Sequence, residues 1–183
     1  MCKAIVFVCG EEELVGVLEG AKQRVCPWCG QRGWLNVHDH LRGVGADGEV
    51  VRGRRLWCAK RNRRRGCGHT IRMVFADVLP RHLFNATVLW LLLKGLIAGL
   101  GVPAAWEGTG CRWLLLSAAY KLLGRLRGRL PELRTALSGC CRPPGSVHAD
   151  PLLQTIQHLD SAFEAQSCPI SAFQRHLGMP LMG

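Results

Sequence analysis

The sequence predicts an α+β protein in which a small module of short antiparallel strands precedes a helical half. Three observations predict it. Gly, Arg, Cys and Trp crowd residues 22–80, with short β-like runs between them. Leu, Ala, Trp and Arg dominate residues 81–138 at helical spacing. Net positive charge is confined to the middle: residues 22–81 carry fourteen bases and four acids, residues 82–141 seven and two, and both ends are mildly acidic. With 183 residues, 48% of them apolar, the chain has room for two such parts and is not expected to be disordered throughout.

Four segments follow in order. Residues 1–21 read as an N-terminal extension, with an apolar run at Ala4–Cys9 and a helix around Glu11–Glu19. The start lacks a small-residue cleavage site, so no signal peptide is expected. Ten cysteines could suggest a secreted disulfide scaffold, but two of them sit as Cys-x-x-Cys, which in an intracellular chain reads as metal or redox chemistry. Residues 22–80 form the strand module, with runs at Trp34–Val37, Val50–Trp57 and Thr70–Phe75. Residues 81–138 form the helical domain, and Ser138–Gly145, with Pro-Pro and two Gly, ends it. Residues 139–183 are a linker and helical tail, with Leu152, Leu153, Ile156, Leu159 and Phe163 on one face of Pro151–Gln166.

The strongest local signal is Cys26-Pro-Trp-Cys29-Gly. Two thiolates at this spacing grip one Zn²⁺ from a tight turn, and the following Gly frees the backbone to make it. Cys58 and Cys67-Gly supply the other two ligands, so Cys26, Cys29, Cys58 and Cys67 are expected to hold one zinc per chain. His69 is the reserve ligand should Cys58 lie too far away, with His38 and His40 behind it. A redox dithiol would need a βαβ context, but Gly30, Gly33 and short strands follow instead. The module is thus read as a small zinc ribbon, and the metal would supply much of its folding energy.

Eight bases fall within residues 52–65 without an acid: Arg52, Arg54, Arg55, Lys60, Arg61, Arg63, Arg64 and Arg65. Guanidinium forks suit phosphate because they donate two parallel hydrogen bonds. Trp28 and Trp57 could stack on bases or pack beside the metal, and packing is the favoured reading.

The helical segment has the outline of a helix-turn-helix. One helix spans Phe84–Ala98, Gly99–Pro103 breaks it, a short helix follows at Ala104–Glu107, and a long one at Arg112–Leu130. On the last, Leu115, Ala119, Leu122 and Leu126 mark a buried face, and Lys121, Arg125 and Arg129 a basic one. That division is what a recognition helix needs. Gly124 and Gly128 weigh against it at about 1 kcal/mol each relative to Ala. Leu83–Val102 is apolar but interrupted by Lys94, Asn85 and three Gly, so no membrane span is expected.

Taken together, RVCPWCG, RRLWCAKRNRRRGCGHTI, ADVLPRH, AAYKLLGRLRGRLPELRTAL and SCPISAFQRHLGMPL resemble zinc-ribbon proteins encoded in bacterial insertion sequences and transposons. The resemblance covers residues 20–180 loosely and is specific at the cysteines and at RGCG. It implies a zinc ribbon ahead of helix-turn-helix-like helices, and double-stranded DNA as the partner. It also implies a place in the bacterial cytoplasm beside a transposase or another mobile-element protein. One departure is the long gap between Cys29 and Cys58.

Self-contained catalysis is not expected. Beyond the strand module the acids Glu107, Glu132, Asp150, Asp160 and Glu164 fall in helical or loop sequence, with no sheet to converge them on two metals. Tyr120 lacks the large Arg/His-bearing domain of a tyrosine recombinase, and no phosphate-binding glycine loop occurs. Cys140, Cys141, Cys168 and His148 match no zinc spacing. The expected function is a zinc-dependent, non-catalytic DNA-binding accessory or regulatory protein of a mobile element, possible also as a homo-oligomer. The alternatives are a zinc-braced adaptor that docks through apolar helices, and an RNA-binding protein.

Overall fold

The computed structural model describes residues 4–45, 48–59 and 66–182. The protein is mixed α+β, and the chain divides into two compact units, Met1–Ala76 and Asp77–Gly183.

The first unit is built on four strands: β1 (Ala4–Val8), β2 (Leu35–Gly45), β3 (Gly48–Cys58) and β4 (Thr70–Phe75). Their order across the sheet is β1-β4-β3-β2. β2, β3 and β4 run antiparallel in succession, while β1 lies parallel to β4, with Ala4 opposite Ile71 and Val8 opposite Phe75. A parallel neighbour needs a long crossover. Here it is α1 (Glu11–Glu19), a short 3-10 turn (Gly20–Gln23) and the two strands that follow. Residues 1–21 are therefore no extension, because they supply an edge strand and a helix that buries Leu14 with Val8, Leu35, Leu56 and Met73. The sequence hides this because the partner of Ala4–Val8 is more than sixty residues away.

β3 meets β4 only over Gly53–Trp57, whereas it meets β2 from Gly48 to Cys58. Residues Arg42–Gly45 and Gly48–Arg52 thus form a two-stranded arm beyond the sheet. Val44, Val50 and Val51 are exposed on it. It is laced by the Arg42–Glu49 ion pair at 2.7 Å and by Arg52 donating to the Val44 carbonyl at 2.7 Å. β2 runs eight residues past the expected Val37. No residue of His38–Gly45 is buried, so no core demands an alternation of apolar with polar residues there.

The second unit contains α2 (Ala86–Ile97), α3 (Val102–Glu107), α4 (Leu116–Gly128), α5 (Leu130–Ser138), α6 (Pro151–Ala162) and α7 (Pro169–Leu177). Asn85 caps α2, its side-chain oxygen accepting from Val88 N–H at 3.0 Å. α2 buries Leu89, Trp90, Leu92 and Leu93 and exposes Leu91 and Lys94. α3 crosses it at Gly95, where a Cβ would come within 2.8 Å of the Ala105 methyl. No described helix is long and apolar enough to cross a membrane.

The expected single helix Arg112–Leu130 is corrected at both ends. Cys111–Leu115 is not helical, and Leu115 sits at the N-cap of α4 with extended backbone and 79% exposure. The buried stripe is instead Ala119, Leu122, Leu123 and Leu126. At the far end Arg129 leaves the helical region and Pro131 opens α5. A proline ring cannot sit inside a helix without clashing with the preceding turn, so the helix restarts. The apolar face expected on residues 139–183 packs within the unit. Ile156, Leu159, Ile170 and Phe173 join Leu93, Leu126 and Leu133 in one core. α7 is a separate helix beyond the expected Pro151–Gln166 stretch. It carries the buried Gln174, whose amide donates to Val78 O at 3.0 Å and accepts from Leu181 N–H at 3.1 Å. That bond, with Ala86 N–H donating to Asp77 O, ties Asp77–Pro80 to the helices. The boundary therefore falls after Ala76 rather than after Pro80.

Candidate metal centre

Four cysteine sulfurs converge in the first unit. Cys26 and Cys29 lie in the turn before β2, Cys58 ends β3, and Cys67 lies just before β4. All four sulfurs are within 4.8 Å of one another. Cys26 Sγ is 3.6 Å from Cys67 Sγ, and Cys29 Sγ is 3.7 Å from Cys58 Sγ. These separations are far beyond a disulfide bond of about 2.05 Å. They match the edge of a tetrahedron of sulfurs around zinc, about 3.8 Å for a Zn–S bond of about 2.3 Å. The cluster is therefore close enough to hold a metal ion, with Cys26 and Cys58 fully buried and Cys29 and Cys67 half-buried.

The backbone makes the cluster in two matching turns. Around the first, Val25 bridges Arg32, Cys26 N–H donates to Gln31 O at 2.9 Å, and Gly30 N–H donates to Cys26 O at 2.9 Å. Around the second, Cys58 N–H donates to His69 O at 2.9 Å and Gly68 N–H to Cys58 O at 3.2 Å. The glycine after the last cysteine of each turn is left-handed, φ +68° at Gly30 and +71° at Gly68. A side chain at either would strain the turn that aims its sulfur.

His69 is not part of the sulfur cluster. Its ring stacks on Trp28, centroids 4.9 Å apart and 18° from coplanar, and its Nδ1 lies 3.2 Å from Cys67 O. Cys58 takes the place for which His69 was held in reserve. His38 bonds Asp39 at 3.0 Å and meets Trp57 edge-on, so it too belongs elsewhere. Sequence reasoning missed Asn36. Its amide donates to Trp34 O at 2.8 Å and to Ala59 O at 2.6 Å, and its oxygen accepts from Lys22. It thereby fixes the chain one residue past Cys58.

The thiols differ in acidity. Burial pushes Cys26 up, but hydrogen bonds from the Cys29 and Trp28 backbone and from neighbouring thiols outweigh it and bring it down to about 7. Burial pushes Cys58 up to about 12, and it raises Cys67 as well. A metal that binds here must displace protons from the buried thiols, so binding is opposed by acid.

The basic residues fall out unevenly. Arg55 pairs with Asp39 at 3.1 Å, Arg52 is held across the arm, and Arg54 is half-buried opposite His40. Lys60, Arg61, Arg63, Arg64 and Arg65 lie outside the described residues. In the second unit Lys121 and Arg125 are exposed on α4. Arg129 is engaged where they are not: its guanidinium donates to Glu132 at 2.8 Å and to the carbonyls of Pro180 and Leu181 at 2.6 and 2.9 Å. It acts as a brace within the unit. His158, also unforeseen, sits 3.0 Å from Cys141 O and closes the end of α5. Comparison with protein-family models, with curated proteins and with solved structures finds no match for this chain.

Proposed function

We propose that this protein is a zinc-dependent, non-catalytic DNA-binding protein that serves a mobile genetic element. The observation that carries the reading is the convergence of four cysteine sulfurs within 4.8 Å, two of which flank the most basic stretch of the sequence. Cys58 and Cys67 bracket Lys60, Arg61, Arg63, Arg64 and Arg65 in sequence. A metal bound to both cysteines would close that loop and hold five like charges together. Duplex DNA relieves their repulsion and releases counterions as it binds. Zinc is the metal of choice because four thiolates in a tetrahedron suit a closed structural site, and no coordination position is left for water. On this reading the first unit is a zinc ribbon. α2, α3 and α4 would serve as a helix-turn-helix, with Lys121 and Arg125 toward phosphates.

A second reading has its own support. Trp113, Leu115, Leu116 and Tyr120 are all exposed around the start of α4. Apolar exposure on this scale suits an adaptor that docks on another protein, for example a transposase. The two readings separate in one experiment. The purified chain is assayed for zinc, and its binding to duplex DNA is followed across a salt series. One zinc per chain and affinity that falls steeply with salt support the DNA reading; binding to no duplex at low salt rejects it.

A further inference from the structure

Three cations of the second unit converge on one groove. Arg81, Lys121 and Arg125 line a hollow of about 170 Å³ whose apolar wall is Phe84, Leu114, Ala118 and Leu122. No acid lines it. Among the described residues none of the three cations makes an ion pair, although Arg127 and Arg129 of the same region are taken by Asp150 and Glu132. Unpaired positive charge here is concentrated, not scattered.

The groove is also held in shape. Arg81 stands at the tip of the loop Asp77–Ala86, which the Val78–Asn85 bridge and the Ala86 N–H to Asp77 O bond close. The buried rings of His82 and Phe84 pack 5.4 Å apart and anchor it. Arg81 itself has φ +66°, the one described non-glycine residue at positive φ. Glycine would fit that conformation with less strain, so the arginine stands there against a backbone preference. Strain of this kind gathers where a ligand is gripped.

We propose that this groove seats one unpaired nucleotide of a DNA strand, with its phosphate on Arg81, Lys121 and Arg125 and its ring against Phe84, Leu114 and Ala118. The inference rests on the DNA-binding reading and adds a strand state to it. A duplex presents a polar sugar–phosphate ridge and keeps its bases stacked inside, so it has nothing apolar to place in the hollow. An unpaired base does. The volume is below that of sites for drug-sized ligands and takes one ring with its phosphate, not a run of bases.

The test uses the full, zinc-loaded chain. Amide spectra are recorded with deoxyadenosine monophosphate, deoxyadenosine and inorganic phosphate, and affinities are measured for matched single-stranded and duplex oligonucleotides. The monophosphate should perturb Arg81–Phe84 and Ala118–Arg125, at least about tenfold more tightly than phosphate alone, as burial of the base against apolar side chains requires. Ala118→Met fills the hollow without changing charge. It should weaken the single strand about tenfold and spare the duplex. Arg81→Gly, which suits the backbone, should weaken the monophosphate while leaving the melting temperature at or above that of the parent. The inference is overturned if the monophosphate leaves those amides unmoved, if Ala118→Met leaves single-strand affinity intact, or if an acidic peptide displaces the monophosphate at equal charge concentration. Duplex binding that persists in any of these cases would leave the DNA reading standing and remove only the groove. Loss of all DNA binding by the parent chain would remove both.

Discussion

Cys26 has no exposed surface, and its sulfur is 3.6 Å from that of Cys67. Cys26→Ser removes one corner of the tetrahedron and leaves three thiols that cannot close it. The expected result is loss of the single zinc, read by metal analysis, and loss of the strand signal of the first unit. Retention of full zinc occupancy would remove Cys26 from the ligand set. The acid side follows from the same thiols. Cys58 at about 12 and a raised Cys67 hold their protons at neutral pH unless a metal displaces them. Zinc occupancy should therefore be kept at neutral and higher pH and fall as pH falls, which a chelator-free pH titration of bound metal reads directly. Arg129 makes a different prediction from its neighbours. Arg129→Ala breaks bonds to Glu132 and to two carbonyls near the C-terminus, and should cost about 1–2 kcal/mol in a denaturant melt. Lys121→Ala and Arg125→Ala should each stay within about 0.5 kcal/mol. In the sequence all three bases sit four residues apart and look alike. What separates Arg129 is a helix break at Pro131 and a partner roughly fifty residues further on. The four cysteines were legible because metal geometry restricts residue type and spacing locally, whereas Asn36 carries no such mark.

At the level of elements, the positions of α2 and α6 were legible and arms were not. The expected helix Phe84–Ala98 takes in Asn85, which instead caps α2, whereas the expected start at Pro151 is that of α6. Asp150 accepts from Leu152 N–H at 2.8 Å and pairs with Arg127 at 2.9 Å. The backbone hydrogen bond, with Arg127 beside it, holds its carboxyl below the ordinary value of 3.8. A lowered carboxyl contributes stability above that value and loses it as pH falls through the folded pKa. Asp150→Ala should thus cost about 1 kcal/mol at neutral pH, and the gap between variant and parent should close in acid. The arm of β2 and β3 carries its own test. Isolated two-stranded ribbons are marginal in water. Amides of Arg42–Gly45 and Gly48–Val51 should exchange with solvent faster than those of Gly53–Trp57, which β4 covers on the second side. Equal protection along β3 would mean that something else covers the arm. β2 was foreseen only as far as Val37, since period-two alternation reports a buried face and the arm has none.

For the molecule as a whole, the two units are expected to answer chelation differently. On the proposed zinc reading, the site would contribute about 10–16 kcal/mol of apparent binding free energy, which in a small module is folding free energy. The second unit has an apolar core of its own, from Leu79 to Met182. A chelator should abolish strand signal in circular dichroism and leave most helical signal in place. Simultaneous loss of both would show that the units unfold together. Of the expected boundaries, the one after Pro80 lies four residues from the division, where composition shifts, and those after residues 21 and 138 fall inside the two units. The topology of the first unit was not legible, because nothing in Ala4–Val8 reveals that its neighbour is β4. That pairing fixes an order of events during synthesis. The strand made first waits for the strand made last, with roughly sixty residues between them. At about 5–20 residues per second the wait is about 3–12 s. Throughout it Cys26 and Cys29 have no opposing pair, and a β-prone apolar segment has no sheet to join. A chain starved of metal at that stage is held at its most adhesive moment, so the yield of native protein should depend on free zinc while the chain is being made, more than on zinc added afterwards.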